Sequence, residues 1–262
     1  MTGQDILIVS GSACGVSVKL LTRLAARVER IITVDSGANW AARASIVPHL
    51  LVGDGDSINA EVARELQRAG VRTERVPRDK DFSDLDLALQ VARDWIRCSN
   101  SLESLGTHVD SRQEPRPYAR LLLCNVLGAR VDHELAALGS LVRFAVANPD
   151  TGPLLIYEDN SVAALLSAAD CDAPKPSTSV LPCASSPVVF NLRGFTRPGQ
   201  TLSLLPLLGP ARLSTQGLRW PLENEVMDEL SSRGLSNLMD SPDACVTLHT
   251  GSLLILAPET VS

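Results

Sequence analysis

Leu50-Leu51-Val52-Gly53-Asp54-Gly55-Asp56-Ser57 decides how the rest of the chain is read. Three apolar residues run into a glycine-bounded turn that carries two aspartates at i and i+2. Short apolar runs closed by turn residues mark strands buried on both faces. Side chains two apart on extended backbone point the same way, so Asp54 and Asp56 are expected side by side at the carboxyl end of a strand. Open α/β sheets bind ligands there, and paired hard oxygens suit Mg²⁺ whose shell a substrate phosphate completes. A solvated acidic turn has the same composition, so spacing alone leaves both readings open.

The same punctuation recurs outward from this stretch. Ile6-Leu7-Ile8-Val9 ends in Ser10-Gly11, and Ile31-Ile32-Thr33-Val34 ends in Asp35-Ser36-Gly37-Ala38-Asn39. Leu121-Leu122-Leu123-Cys124 leads to Gly128-Ala129-Arg130-Val131-Asp132-His133. Amphipathic segments lie between, at Val18 to Val28 and Ala60 to Ala69. The clearest helix starts near Ser83, with Leu85, Leu89, Ala92 and Ile96 along one face. Strand–helix alternation of this kind predicts a mainly parallel sheet with flanking helices. After about residue 160 the pattern becomes short β-like pieces: Val188 to Phe190, Thr201 to Leu205, Ala211 to Ser214, Cys245 to Leu248 and Ser252 to Leu256. These predict an all-β sandwich or barrel. The expected organisation is an α/β domain over 1–160, a loop-rich connection over 161–187 and a β-sandwich over 188–262. Two stretches, 98–117 and the Ser/Pro/Ala-rich 168–187, are read as surface insertions. No internal repeat is visible.

Composition sets outer bounds. The 262 residues are 45% apolar and 21% charged, ordinary for a folded domain. A net charge of −6 argues against a general nucleic-acid binder. No apolar run reaches the roughly 18–20 residues that span a bilayer, and the first seven residues lack the basic start of a secretory leader. Six cysteines without a CxxC pair fit reduced thiols in a cytoplasmic protein.

Two further segments bear charge at strand–helix junctions. In Asp79-Lys80-Asp81-Phe82-Ser83-Asp84-Leu85-Asp86, Ser83 is a candidate N-cap, and the helix dipole accounts for one or two of the four aspartates. It does not account for Lys80 and Asp81, which precede the helix. The Gly128 turn is expected to leave backbone N–H groups open to phosphate, with Arg130 adding bidentate contacts. Asp132 reads equally as an N-cap and His133 as a surface residue. The recurrence of Asp at four such junctions, three of them with Gly, which a parallel sheet brings to one rim, weighs more than any segment alone. No GxxxxGK[ST], GxGxxG, GxSxG or HExxH is present, which disfavours P-loop enzymes, dinucleotide dehydrogenases, serine hydrolases and zinc proteases. An acidic, Mg²⁺-dependent phosphoryl-transfer site remains.

The ordered set DSGAN (35–39), GDGDS (53–57), DKDFSDLDLAL (79–89), GARVDH (128–133) and STQGLRWPL (214–222) resembles the thiamin pyrophosphokinase family. That resemblance implies an α/β nucleotide-binding domain followed by a β-sandwich. It also implies transfer of pyrophosphate from ATP to the thiamin hydroxyl, giving thiamin diphosphate and AMP, with Mg²⁺ and a homodimer whose sites lie between subunits. By the same resemblance Asp54, Asp56 and Asp84 are the metal and catalytic carboxylates. Asp35, Asn39, Lys80, Asp81, Arg130 and Asp132 line the ATP cleft, and Ser214 and Trp220 contact thiamin from the partner subunit. Ser236-Asn237 matches more loosely. The sequence departs from the family at Gly55, where a bulky residue is usual, at Ser83 for threonine and at Ala129 for glycine. Gly55 is expected to loosen the metal turn and to leave a packing partner behind. The same acidic rim would also serve a Mg²⁺-dependent phosphohydrolase, and Gly55 keeps open a binding protein with little turnover.

Overall fold

The computed structural model describes residues 5–12, 14–75, 83–104 (side chains only to 98), 120–128, 130–169 and 187–258. Lys80, Asp81, Ala129 and most of both proposed insertions lie outside the described residues. The chain divides into two compact units: residues up to Phe144 together with Leu154–Asp159, and Ala145–Pro153 together with the residues from Asn160 onward.

In the first unit the apolar runs form the strands β1 (Ile6–Val9), β2 (Arg30–Val34), β3 (Leu50–Val52), β4 (Arg72–Glu74), β5 (Leu121–Cys124) and β6 (Leu154–Glu158). All pair in parallel, in the order β6-β5-β1-β2-β3-β4. The helices are α1 (Val18–Ala25), α2 (Gly37–Arg43), α3 (Ala60–Arg68), α4 (Asp84–Ser104) and α5 (Val131–Ala147). One sheet face puts Leu7, Val9, Ile31, Leu122 and Cys124 against Leu20, Leu21 and Leu24 of α1, and Leu51 against Ala38 of α2 and Leu66 of α3. α4 packs on β1, β2 and β3, burying Leu85, Ala88, Leu89, Ala92 and Ile96. Its amphipathic rhythm therefore matches the expected helix, and the helix continues to Ser104. The first residues of the stretch 98–117, read as a loop insertion, extend α4 instead.

The strand order reverses between β1 and β5, because β2 continues from one side of β1 and β5 flanks the other. Loops leaving these two strands diverge, and the divergence opens a crevice at the carboxyl ends. At the opposite end Asp5, 3% exposed, accepts hydrogen bonds from the backbone N–H and the guanidinium of Arg120, fastening the starts of β1 and β5 together.

The second unit holds β7 (Ser161–Ala168), β8 (Val188–Asn191), β9 (Thr201–Pro206), β10 (Ala211–Gln216), β11 (Glu225–Met227), β12 (Asn237–Leu238) and β13 (Cys245–Pro258). β13 serves two sheets. Its first half pairs with β8 and β10, and its second half with β7 and β9, all antiparallel. The changeover falls at Gly251, whose φ of +92° a side chain would strain. Two corrections follow. Cys245 to Leu248 and Ser252 to Leu256, read as separate strands, are one strand bent at this glycine. The segment 161–168, placed in a loop-rich connection, is β7. Its run Val162-Ala163-Ala164-Leu165-Leu166 is buried throughout, so it lacks the alternation that distinguishes a half-exposed strand.

Candidate active site

Asp35 follows β2 directly, with φ +48° and its N–H donating to Val52 O at 2.9 Å. That left-handed turn swings its carboxyl across to β3, where a Cβ at Gly53 would lie 1.9 Å from Asp35 Oδ1. The glycine of one motif is thus the space occupied by the aspartate of another. Asp54 Oδ1 accepts the Asp56 N–H at 3.0 Å and shapes the turn. Gly55 sits at φ +84°, a conformation suited to glycine, and a Cβ there would meet no atom within 4 Å.

α4 separates the roles of its two leading aspartates. Ser83 Oγ accepts the Asp86 N–H at 3.2 Å, and Asp86 Oδ2 accepts from Ser83 N at 2.8 Å and Ser83 Oγ at 2.7 Å, a reciprocal capping box. Although burial works against it, the Ser83 hydroxyl and amide hold the Asp86 carboxyl below its ordinary range. Asp84 points instead to Asp35, and their carboxyls hydrogen-bond. Burial first, then the charge and hydrogen bond of Asp84, then the charges of Asp54 and Asp56, push Asp35 up to about 7. Its Oδ1 is buried without a hydrogen-bond partner. Three carboxyls from two other motifs thus act on Asp35, and like charges are brought together only at a cost in free energy.

Asp35 and Asp84 line a cleft of about 590 Å³ at the β1/β5 crevice, with Ser10, Gly11 and Ser12 from the β1 turn and Gly128, Arg130 and His133 from the β5 side. That volume lies within the range of small-molecule sites. Asn125 (φ +57°, fully buried) joins the two turns, its Nδ2 donating to Ser10 O at 2.7 Å and Ser12 O at 3.1 Å. The Ser10–Ser12 turn and Ser140 of α5 belong to the cleft but were not among the expected site residues. Uncharged positions without a motif spacing give the sequence no signal.

Several expectations change here. The N–H groups of Val126, Leu127 and Gly128 are not open to phosphate. Val126 and Leu127 donate to Glu158 Oε1 at 2.8 and 3.0 Å, and Gly128 donates to Glu134 Oε1 at 2.7 Å. Burial pushes Glu158 up to about 7 in spite of these amide donors. Asn39, expected in the ATP cleft, holds the loop after GDGDS: its Nδ2 donates to Ser57 O at 3.2 Å and its Oδ1 accepts from Asn59 N at 2.9 Å. Asp132 lies inside the first turn of α5 rather than at its N-cap, and forms an exposed bidentate pair with Arg130 at 2.6 and 3.2 Å. Asp54 and Asp56 stand beside the cleft lining and reach it through their charge on Asp35. His133, read as a surface residue, is exposed and also borders the cleft.

In the second unit Ser214 Oγ lies 2.9 Å from His249 Nε2 and accepts the Asn224 N–H at 2.9 Å. Trp220 is 59% exposed, so it is not a core aromatic. Its backbone is gripped by buried Asn237, which accepts from Trp220 N at 3.2 Å and donates to Trp220 O at 2.7 Å.

Among the described residues no three carboxylate, imidazole or thiolate groups cage an ion by themselves. The donor set still fits Mg²⁺, which typically takes one or two carboxylates and completes its shell with waters and substrate phosphate. A partnerless buried carboxylate oxygen on Asp35 and the mutual repulsion around it are what a bound cation would relieve.

Fold and cleft define a two-unit protein with a doubly wound α/β domain, acidic at its strand-end crevice, followed by an all-β unit that presents a tryptophan. Sequence profiles agree. The thiamin pyrophosphokinase catalytic domain matches residues 21–151, and the thiamin pyrophosphokinase vitamin B1 binding domain matches residues 191–255. The chain belongs to the thiamin pyrophosphokinase family. It is 25% identical over 201 residues to thiamine pyrophosphokinase 1 of Oryza sativa subsp. japonica, covering 76% of this chain and 62% of that protein. The corresponding Arabidopsis thaliana protein is 27% identical over 188 residues, covering 71% of this chain and 57% of the relative. This chain therefore matches less than two thirds of the length of either. Among solved structures, thiamin pyrophosphokinase from Candida albicans superposes with a TM-score of 0.72 at 15% identity, over 98% of this chain and 90% of that one. Thiamine pyrophosphokinase from Bacillus subtilis gives 0.67 at 20%, over 98% and 100%; at these identities the likeness is one of fold. No helix among the described residues is long and apolar enough to cross a membrane.

Proposed function

We propose that the protein transfers the terminal pyrophosphoryl group of ATP to the hydroxyl of thiamin, forming thiamin diphosphate and AMP. The observation that carries this reading is the convergence of Asp35, Asp54, Asp56 and Asp84 beside the β1/β5 cleft. It is supported by a vitamin B1 binding profile over the unit that holds Ser214 and Trp220.

Asp54, Asp56 and Asp84 would hold Mg²⁺ on the substrate phosphates. When bound, the ion neutralises phosphate charge and draws electron density from the phosphorus. Arg130 borders the same cleft and offers a guanidinium to phosphoryl oxygens. Asp35 and Asp84 form the carboxyl pair at which the hydroxyl proton of thiamin is taken up as its oxygen bonds the β-phosphorus. The bond between the β-phosphorus and the α–β bridging oxygen breaks, and AMP leaves with that oxygen. Catalysis rests on positioning and charge neutralisation, since phosphoryl transfer gives the protein little covalent chemistry to do. Ser214 and Trp220 would hold thiamin, an indole face being a good partner for its flat cationic ring. Following the family resemblance, a second copy of the chain supplies them, in a cytoplasmic homodimer.

An AMP-release assay with and without thiamin tests the reading. AMP and thiamin diphosphate formed in equal amounts, dependent on thiamin and Mg²⁺, is the expected result. Hydrolysis of ATP independent of thiamin would replace it with a phosphohydrolase. Asp54→Asn and Asp56→Asn are each expected to lower turnover by about 10²-fold or more; near-native rates in both would remove these residues from the metal site.

A further inference from the structure

β13 is irregular where it passes Ser214. Leu213 is paired with Leu248 but its neighbour Arg212 with Thr250, so His249 is an extra residue, a β-bulge. On the Ser214 side of the bulge the ladder is regular, so Thr247 and His249, two residues apart, share the face of Ser214. His249, diagonal to Ser214 across the ladder, brings its Nε2 to 2.9 Å from Ser214 Oγ, while the register partner of Ser214 is Thr247. Ser214 Oγ also accepts the Asn224 N–H at 2.9 Å.

A hydroxyl has one proton and two lone pairs. Asn224 occupies one lone pair, so the imidazole settles the rest. If Nε2 carries a proton and donates it, the serine proton is left for an acceptor on a ligand. If Nε2 accepts, the serine offers its remaining lone pair to a ligand donor. In both states the hydroxyl no longer rotates freely, and its entropy is lost before binding rather than during it.

We propose that His249 is a positioning residue for the vitamin, fixing the Ser214 hydroxyl against the Asn224 amide and thereby setting the hydrogen bond offered to the heteroaromatic substrate. The inference rests on the proposed placement of thiamin at Ser214 and Trp220. His249 touches Ser214 and acts through it.

The test is a double-mutant cycle on the full chain, read by calorimetry with thiamin and by steady-state kinetics. His249→Ala should raise both Kd and KM for thiamin by about tenfold, the scale of one hydrogen bond, with KM for ATP unchanged. His249→Gln, which restores a polar group at similar reach, should recover most of the loss. On a Ser214→Ala background, His249→Ala should add nothing. An equal loss on both backgrounds shows that His249 acts on the fold rather than through Ser214, and overturns the proposal. Unchanged thiamin affinity in His249→Ala also overturns it while leaving the proposed function intact. A native chain that binds no thiamin overturns the placement of the vitamin and this inference together. Should His249→Ala not fold, His249→Phe fills similar space without the hydrogen bond and takes its place in the cycle.

Discussion

The carboxyl groups of Asp35 and Asp84 hydrogen-bond to each other across the end of β2 and the start of α4. Two carboxyls bond only with a proton between them, and Asp35, pushed up to about 7, is where burial and three neighbouring acids place it. A divalent cation must displace that proton. Affinity for Mg²⁺ in the presence of ATP should therefore rise between pH 6 and 8, by as much as about tenfold per unit below 7. Calorimetry in buffers of different ionisation enthalpy should detect proton release at pH 6 and little at pH 8. Asp35→Asn should flatten the dependence; a native profile already flat would contradict it.

The same pair bears on stability. The folded value of Asp35, about 7, lies above its ordinary 3.8. Its contribution to stability is fully present below about pH 4 and is lost as pH rises through 7. Without metal, Asp35→Asn should melt above the native protein at pH 8 by a few degrees, and the difference should shrink at pH 5. Differential scanning calorimetry with and without Mg²⁺ measures it; saturating metal should stabilise the native protein more than the variant.

Asp84 and Asp86 are two residues apart and should respond differently. Asp86 closes the capping box with Ser83, so Asp86→Ala should cost about 0.5–2 kcal/mol of stability and keep most of the turnover. Asp84→Asn should retain the melting temperature and lose turnover by about 10²-fold or more. Equal loss of turnover in both would place Asp86 in the site as well.

Trp220 is held out by Asn237, and the two also separate. Trp220→Ala should raise KM for thiamin with little change in melting temperature, because the ring is 59% exposed. Asn237→Ala should weaken thiamin binding and destabilise by about 1–3 kcal/mol, since it leaves backbone groups of Trp220 without partners. Thiamin titrations beside thermal melts would show whether the effects divide in this way.

Much of the first unit is legible because its strands end abruptly in glycine and aspartate and α4 keeps one apolar face. The acidic rim is legible for the same reason, since parallel strands bring their carboxyl ends together whatever the loops contain. The amides of Val126, Leu127 and Gly128 are not legible because hydrogen-bond capacity shows in a sequence while its occupation does not: Glu134 and Glu158 take them from six and about thirty residues away. β6 and β7 are not legible because Leu154 to Ile156 and Val162 to Leu166, apolar runs like that of Leu50 to Val52, are closed by no glycine turn. The bulge at His249 leaves no mark in composition at all.

β13 is the strand that both sheets of the second unit share, paired on each side in both, and this fixes the order in which that unit can be completed. β7 is finished at Ala168, but its partner begins only at Gly251. A ribosome adding about 5–20 residues per second leaves the buried face of β7 without its mate for several seconds. During that interval Val162 to Leu166 is an apolar ribbon with open backbone groups, the kind of segment that pairs with other chains. The vulnerable moment for this protein falls during its own synthesis, and a holding chaperone or slow translation after β7 would alter yield without touching the finished fold.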